Sequence, residues 1–379
     1  MGEKELGVAK EVLVVFGTRP EAIKMAPVVL ALRESPVLHP VVCSTGQHRA
    51  MLDKVLPTFG IEPEIDLQLM RPAQEPAELT ARVVTAMAGV VRERRPAAML
   101  VHGDTGSSLG AALAGYYEGG VVGHVEAGLR TGDLSRPFPE ELNRTLISRL
   151  AAVHYAPTEQ AAGNLAAEGV ERERILVTGN TVVDAVEMVR SAASKAPLAI
   201  PETLLAGRRL VLVTTHRRES FGATLDGICR AIARLVEQES DLLVIYPVHL
   251  NPAVARSVRR ILGRHPKVIL LPPLAYLPFL RLMSIATLVL TDSGGIQEEA
   301  PSFGTPVLVL REVTERGEGI EAGACSLVGT APERIVAEAR ALLADPGGPP
   351  SRARAANPYG DGRAAPRIRA HLEELLSRT

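Results

Sequence analysis

The chain has few cysteines and no excess of either charge. Its three cysteines, Cys43, Cys229 and Cys325, lie far apart among 379 residues and have no paired ligand spacing. This spacing argues against a disulfide framework or a zinc site and favours a reducing compartment. The 42 basic and 43 acidic residues are mixed along the sequence, with a formal net charge of −1. Because no charged block stands out, we expect no nucleic-acid or membrane partner, and we expect small molecules or proteins instead.

The sequence also lacks long hydrophobic runs and the motifs of common cofactor sites. Residues 12–16 form an apolar run too short for a signal-peptide core, and three prolines interrupt the most apolar long window, 268–290,. We therefore expect a cytoplasmic protein. No Gly-Lys pair is present, the Gly-x-Gly-x-x-Ala run at 317–322 follows no strand directly, and no His-Glu-x-x-His spacing occurs. These absences argue against a Walker loop and a dinucleotide fingerprint, so we predict no cofactor and no metal.

Short, unbroken apolar runs rich in β-branched residues alternate with helix-period segments, which is typical of parallel sheets covered by helices on both faces. The pattern pauses at residues 191–201 and then begins again. We predict two Rossmann-like α/β domains, residues 1–190 and 200–365, with a C-terminal helix at 366–379 that packs back on the first. Ligands of open α/β sheets bind beyond the carboxyl ends of the strands, so we expect the site in a cleft that the two domains face.

The loop after the first predicted strand carries two cations. Pro20 fits the first position of a helix and pushes Arg19 out of helical geometry, which leaves the guanidinium on the loop, and Lys24 follows about one turn later,. A phosphate placed there would meet both cations and the free amides of the first helical turn. The loop alone is equally consistent with a solvated helix start.

Acidic residues follow later strands of the first half. Asp104 could be an ordinary helix cap, and Glu140 with Arg144 could be an exposed ion pair at helical spacing. Glu126 is different, because it lies between a strand end and Ala-Gly and has no helix to cap. We therefore predict a functional role for Glu126.

The second half contains a second predicted anion site. Ser293 can cap a helix, and Gly294 and Gly295 allow a diphosphate to approach the backbone closely. Glu299, about two turns into that helix, could accept both hydroxyls of a ribose or could be a surface carboxylate. Arg316 is a further candidate cation, although a single arginine would not by itself indicate an anion site.

Seven motifs at these positions closely resemble the non-hydrolysing UDP-N-acetylglucosamine 2-epimerases, and the likeness covers nearly the whole chain. The motifs are Phe-Gly-Thr-Arg-Pro-Glu-Ala-Ile-Lys-Met-Ala-Pro (16–27), Val-His-Gly-Asp (101–104), Gly-His-Val-Glu-Ala-Gly-Leu-Arg-Thr-Gly-Asp (123–133), His-Arg-Arg-Glu-Ser-Phe-Gly (216–222), Tyr-Pro-Val-His-Leu-Asn-Pro (246–252), Thr-Asp-Ser-Gly-Gly-Ile-Gln-Glu-Glu-Ala-Pro-Ser (291–302) and Asn-Pro-Tyr-Gly-Asp-Gly (357–362).

The resemblance implies a glycosyltransferase B type fold, a homodimer, and reversible inversion at C2 of UDP-N-acetylglucosamine to UDP-N-acetylmannosamine for cell-surface polysaccharide. It also implies roles for residues of this chain. The positions tied to catalysis are Arg19, Lys24, Asp104, Glu126, Glu140, Arg144 and His216. Arg19 and His216 are also expected at UDP, with Phe279, Ser293, Gly294, Gly295, Glu299 and Arg316. Many relatives bind a second UDP-N-acetylglucosamine as activator, and Gln47, His48, Arg71 and His249 lie where that site would be.

Other functions remain open at this point. A hydrolysing 2-epimerase would release free N-acetylmannosamine, and a 2-epimerase could act on a modified UDP-N-acetyl sugar. A glycosyltransferase of the same fold would need an acceptor, which the many carboxylates do not favour. A sensor would bind the sugar nucleotide without turnover, although every candidate acid and base is retained. Fold likeness alone does not decide among them.

Overall fold

The computed structural model of the chain describes residues 9–47, 49–71, 74–215, 217, 221–344 and 357–378. The chain divides into two compact units, Met1–Met188 with Tyr359–Thr379, and Val189–Pro358. Two residues singled out from the sequence, His48 and His216, lie outside the described residues.

The first unit alternates strands and helices from its beginning. Its described strands are β1 (Lys10–Phe16), β2 (Leu38–Ser44), β3 (Ile65–Asp66), β4 (Ala98–His102), β5 (Val122–Val125), β6 (Val153–Ala156) and β7 (Ile175–Val177). Its helices are α1 (Arg19–Arg33), α2 (Arg49–Val55), α3 (Pro76–Arg94), α4 (Gly106–Tyr117), α5 (Glu140–Leu150), α6 (Glu159–Ala167) and α7 (Thr181–Lys195), and short 3-10 helices lie at Leu56–Phe59 and Arg172–Arg174. α7 ends beyond the boundary of the unit at Met188.

The strands of this unit are parallel and lie in the order β3-β2-β1-β4-β5-β6-β7. The chain therefore adds β2 and β3 on one side of β1 and then crosses back to add β4 on the other side. Such a reversal opens a crevice at the carboxyl ends of β1 and β4, where doubly wound sheets bind ligands. Residues 17–19 and 103–105 lie at these ends.

The second unit repeats the arrangement. Its described strands are β8 (Arg209–Thr214), β9 (Leu242–Pro247), β10 (Val268–Leu271), β11 (Leu288–Thr291), β12 (Val307–Val309) and β13 (Cys325–Leu327), in the order β10-β9-β8-β11-β12-β13. Its helices are α8 (Ala223–Gln238), α9 (Pro252–Leu262), α10 (Tyr276–Ile285), α11 (Gly294–Glu299), α12 (Gly317–Glu321) and α13 (Pro332–Leu343), with 3-10 helices at Glu202–Leu204 and Ala300–Phe303. Here the reversal lies between β8 and β11, next to residues 292–295. The predicted fold of two Rossmann-like α/β units is confirmed.

The last helix, α14 (Ala364–Ser377), belongs to the first unit and packs on α1. Asp184 of α7 accepts the backbone N–H groups of Ala364 and Ala365 at 3.2 and 2.9 Å and so caps this helix. Ile368 and Leu372 on its inner face are fully buried. The C-terminal helix thus extends the apolar core of the first unit.

The apolar runs of the sequence form the buried strands. Val12, Leu13 and Val14 of β1 and Val211 and Leu212 of β8 have no exposed surface, as expected for central strands covered by helices on both faces,. No helix in the described ranges combines the length and the apolar character that crossing a membrane requires.

Candidate active site

Glu126 lies directly after β5 in a buried, strained position. Its backbone φ is 62°, in the left-handed region that non-glycine residues seldom adopt, and only 5% of the residue is exposed,. Its Oε2 accepts hydrogen bonds from Nζ of Lys24 on α1 and, at 3.0 Å, from Nδ2 of Asn180 just before α7. The structure therefore holds this carboxylate in one place.

Arg144 of α5 joins Glu126 to a second carboxylate. Its guanidinium is 3% exposed, pairs with Asp104 and lies 3.4 Å from Oε1 of Glu126. Burial alone would raise the pKa of the Glu126 carboxyl, but Lys24, His102 and Arg144 hold that pKa well below its usual value,. Glu126 is thus an ionised carboxylate between buried cations.

Two simpler interpretations of these residues do not hold, namely an ordinary helix cap at Asp104 and an exposed ion pair between Glu140 and Arg144. Thr105, not Asp104, is the N-cap of α4, and its hydroxyl accepts the N–H of Ser108 at 3.0 Å. Arg144 is buried and bonded to Asp104, so it does not belong to a solvated ion pair on the helix surface. Glu140 is the half-buried first residue of α5. Asp104, Glu126 and Arg144 therefore form one cluster at the ends of β4 and β5, with Lys24 bonded to it.

The start of α1 differs from the sequence interpretation. Arg19 is the first residue of the helix and is half-buried, so it is not on a preceding loop. Thr18 caps the helix in a capping box with Glu21, whose side chain accepts the N–H groups of Gly17 and Thr18 at 3.0 and 2.7 Å. Proline is tolerated at the second helical position as well as the first, since no intrahelical N–H bond is needed in that turn.

Glu21 also reaches the next helix. Its Oε1 accepts the hydroxyls of Thr105 and Ser108 at 2.6 and 2.7 Å, so one buried carboxylate ties the starts of α1 and α4 together. The N–H groups of Gly17 and Thr18 are therefore occupied by the protein's own anion. Within the first helical turn, Pro20 has no N–H and the N–H of Glu21 donates to the Thr18 hydroxyl at 3.5 Å, so the phosphate site at the start of α1 stays a prediction that depends mainly on the side chains of Arg19 and Lys24.

The second unit builds its site around Arg316. Its guanidinium lies against Gly294, where an added Cβ would come within 2.4 Å of the Cζ atom of Arg316. Nε of Arg316 donates to Glu298 at 2.7 Å, and Nη1 donates to Glu315. Arg316 is only 5% exposed. The predicted cation therefore does lie at the start of α11, and Gly294 is required there for space.

Glu315 links further cations to this arrangement. Its carboxylate lies 3.0 Å from Nη1 of Arg311 and 3.5 Å from Nη2 of Arg217, in addition to Arg316. Burial would raise its pKa, but Arg316, Arg217 and Arg311 lower the pKa far below the ordinary value for a glutamate,. Asp292 accepts the backbone N–H of Arg217 at 3.0 Å and so joins the loops after β8 and β11.

The remaining UDP candidates lie close to α11 in sequence or structure. Ser293 is the N-cap residue, but its side chain makes no capping hydrogen bond to residues of α11, all of which are described. Its N–H donates to the Thr291 hydroxyl at 3.0 Å. Glu299 is 8% exposed, which contradicts a surface carboxylate, and Tyr276 of α10 donates to it at 3.4 Å. Phe279 is a half-buried residue of the same α10.

Of the described activator candidates, Gln47 and Arg71 belong to the first unit and His249 belongs to the second. Gln47 accepts the Ser107 hydroxyl at 2.8 Å, next to the start of α4. Arg71 is exposed, and its backbone N–H donates to Gln74 at 2.9 Å. His249, in the second unit, is half-buried, and its Nδ1 accepts the N–H of Asn251 at 3.2 Å.

Several residues of these clusters carried no assigned role in the sequence analysis. His102 and Asn180 lie beside Glu126, Glu298 and Glu315 pair with Arg316, and Arg311 pairs with Glu315. His102 and Glu298 stand in quoted motifs, so a signal existed for these two. Asn180 lies 54 residues from Glu126 in sequence, and no spacing rule connects them. Within the described ranges, no group of three or more His, Cys, Asp or Glu is placed to hold a metal ion.

Comparison with known proteins gives a consistent result. A family model described as UDP-N-acetylglucosamine 2-epimerase matches residues 30–373. UDP-N-acetylglucosamine 2-epimerase of Salmonella typhimurium is 51% identical over 94% of this chain and 97% of its own, and that of Bacillus subtilis is 46% identical over 97% and 95%. The crystal structure of UDP-GlcNAc 2-epimerase from Neisseria meningitidis bound to UDP-GlcNAc matches with a TM-score of 0.90 and 41% identity, covering 96% of this chain and all of that one.

Proposed function

Because the chain belongs to the UDP-N-acetylglucosamine 2-epimerase family and is an isomerase of the non-hydrolysing type, we propose that it inverts C2 by eliminating UDP and adding it back. The substrate is UDP-N-acetylglucosamine, and the product is UDP-N-acetylmannosamine. The intermediate is a glycal that stays bound together with UDP.

The chemistry of the sugar favours elimination. The proton at C2 is not next to a carbonyl, so a carboxylate cannot remove it directly at a useful rate. When the C1–O bond to the β-phosphate breaks, its electron pair leaves with UDP, C1 becomes cationic and the C2 proton becomes acidic. A base takes that proton, and the C1–C2 double bond forms. Re-addition of UDP with protonation of the opposite face of C2 completes the inversion without a redox cofactor.

The single observation that carries the proposal is the arrangement around Glu126. A buried carboxylate held by Lys24 and Arg144, with Asp104 on the same guanidinium, supplies acid, base and cation within one cluster,. We assign the acid and base roles to Glu126, Asp104 and Glu140. Arg19, His216 and the Ser293 helix start carry the leaving diphosphate, with Lys24 assisting.

The second unit supports a role in holding UDP. Gly294 leaves the space that Arg316 fills, and Glu298 and Glu315 fix that guanidinium so that it can face a diphosphate without moving,. In this proposal, buried Glu299 accepts the ribose hydroxyls. Ser293, Gly295 and Phe279 complete the proposed UDP contacts.

The wider setting also belongs to the proposal. Cys43, Cys229 and Cys325 are all buried and free, which fits a reducing cytoplasm,. We propose that the enzyme works as a homodimer and supplies UDP-N-acetylmannosamine for cell-surface polysaccharide. A second UDP-N-acetylglucosamine acts as activator through Gln47, His48, Arg71 and His249.

Proton NMR of the purified protein with UDP-N-acetylglucosamine in heavy water tests the proposal. Deuterium at C2 and growth of a UDP-N-acetylmannosamine signal to equilibrium support elimination and re-addition. Free N-acetylmannosamine would instead identify a hydrolysing enzyme. A spectrum that never changes at saturating substrate would contradict the activity on this sugar, and binding without turnover would identify a sensor.

A further inference from the structure

His102 is a buried histidine whose ring has no hydrogen bond. It is the last residue of β4 and is 3% exposed. Neither Nδ1 nor Nε2 has a hydrogen-bond partner in the described part of the chain. Nε2 nevertheless lies 3.5 Å from Oε2 of Glu126, just beyond hydrogen-bond distance,. Buried polar groups in native proteins are nearly always hydrogen-bonded, so this ring requires an explanation.

The backbone of His102 is firmly held, so only its side chain can close the gap. Its carbonyl oxygen lies 2.5 Å from the Ser108 hydroxyl, which it shares with Glu21, and His102 pairs with Val125 in the β4–β5 register. The next N–H, of Gly103, donates to the Val125 carbonyl at 2.9 Å. A rotation about the side-chain bonds of His102 or Glu126 would bring Nε2 to bonding distance.

Oε2 of Glu126 already accepts hydrogen bonds from Lys24 and Asn180, and His102 makes none to it in the resting structure. The proposed function requires Lys24 to assist the leaving diphosphate, and Lys24 cannot then stay fully on Glu126. The Glu126 carboxylate would then lose the close cationic donor Lys24 at the step of the reaction in which the carboxylate must be held in position. Arg144 stays shared with Asp104 and lies on Oε1, so it does not replace Lys24 on Oε2.

We infer that His102 is a positioning residue that donates an Nε2–H hydrogen bond to Glu126 when Lys24 turns to the diphosphate. No proton changes owner in this exchange, because one N–H donor replaces another on the same oxygen. This inference rests on the proposed function, since it assumes that Lys24 moves to the leaving group. The groups that face Glu126 during the exchange are Lys24 from α1, Arg144 from α5, Asn180 before α7, and His102 from β4.

The exchange predicts an unusual separation of stability from activity. Because the His102 ring makes no hydrogen bond in the resting structure, His102→Leu removes none and loses only the weaker electrostatic attraction between the ring and Glu126, so its thermal midpoint should stay close to that of the wild type. The bond to Glu126 forms only along the reaction path, so kcat should fall while KM is nearly unchanged. We expect kcat to fall about 10- to 100-fold, as for one hydrogen bond to a charged group.

Two further variants make the test specific. His102→Gln keeps a side-chain N–H donor near the position of Nε2 and should recover most of the lost kcat. His154→Leu is the matched control, because His154 is also a fully buried strand histidine with no hydrogen-bond partner for either ring nitrogen among the described residues. It lies on β6, outside the Glu126 contacts described above, and should keep wild-type kcat.

The experiment measures kcat, KM and the thermal midpoint of the full-length wild type and the three variants, with deuterium exchange at C2 as the readout. Loss of kcat in His102→Leu alone, at unchanged KM and midpoint, supports the inference. Wild-type kcat in His102→Leu, or equal losses of activity and midpoint in His102→Leu and His154→Leu, would overturn it. If the wild type itself exchanges no deuterium, the proposed function is wrong, and this inference is wrong with it. If the wild type and His102→Leu are both fully active, only this inference is wrong.

Discussion

Replacing Glu126 by glutamine should damage both stability and catalysis, and the two losses can be measured separately. The substitution keeps the shape of the side chain and removes its charge. Lys24 and Arg144 then remain buried, at 4% and 3% exposure, with less negative charge beside them. Asp104 still pairs with Arg144, so the ammonium of Lys24 is the more affected cation.

The magnitude follows from these contacts. Removing one partner of a buried ion pair costs about 3–5 kcal/mol of unfolding free energy. Because the Asp104–Arg144 pair is retained, we expect Glu126→Gln to lose about 3 kcal/mol, the lower end of this range. Loss of a general acid or base lowers kcat by about 10²- to 10⁴-fold. Both losses have one cause, because the same carboxylate is the counter-ion and the proposed acid or base.

Glu141→Gln is the matched control. Glu141 is equally buried in the same unit, but its carboxylate accepts the backbone N–H groups of Thr131 and Gly132, each at 3.0 Å. A glutamine carbonyl can still accept those bonds, so we expect a cost of about 1 kcal/mol and nearly wild-type kcat. Thermal unfolding and deuterium exchange at C2 are recorded for both variants. The reasoning is refuted if Glu126→Gln is no less stable than Glu141→Gln, or if it keeps near wild-type turnover.

Three other changes test neighbouring parts of the account. Glu21→Gln weakens the capping of α1 and α4 together, so it should lower the urea midpoint and cost about 1–3 kcal/mol of unfolding free energy. An unchanged midpoint would contradict the capping role. The folded-state pKa of Glu315 lies below the ordinary glutamate value of 4.5, so its stabilisation is present above about pH 4.5 and is lost as pH falls,. An acid unfolding curve that Glu315→Gln does not flatten would contradict this. Gly294→Ala should displace the Arg316 guanidinium and raise the Kd for UDP at least about tenfold by calorimetry, since it disturbs a charge-assisted contact, and an unchanged Kd would place UDP elsewhere.

Much of the fold could be predicted because its signal is local. Unbroken apolar runs identify strands buried on both faces, and the restart after residues 191–201 indicates a second α/β unit. The start of α1 was interpreted wrongly although its signal was also local. Thr18 and Glu21 have the spacing of a capping box, which places the cap one residue before Arg19 and assigns the glutamate to the backbone,.

The site was predictable only in part, because its chemistry depends on contacts distant in sequence. Glu126 could be singled out, since no nearby helix explained its charge. Its bond to Asn180 joins different parts of the chain and follows no spacing rule. Glu315 illustrates the same limit through one of its cations: Arg311 and Arg316 are close to it in sequence, but Arg217 comes from the loop after β8, and only the folded sheet brings it to Glu315.

The central claim is that the C1–O bond to UDP breaks and re-forms during epimerisation. A direct test uses UDP-N-acetylglucosamine with ¹⁸O at the oxygen that bridges C1 and the β-phosphate, followed by ³¹P NMR as the enzyme turns over. The account predicts that the label moves from the bridging to the non-bridging β-phosphate positions while UDP-N-acetylmannosamine forms. Epimerisation with the label retained in the bridge would contradict elimination and re-addition of UDP.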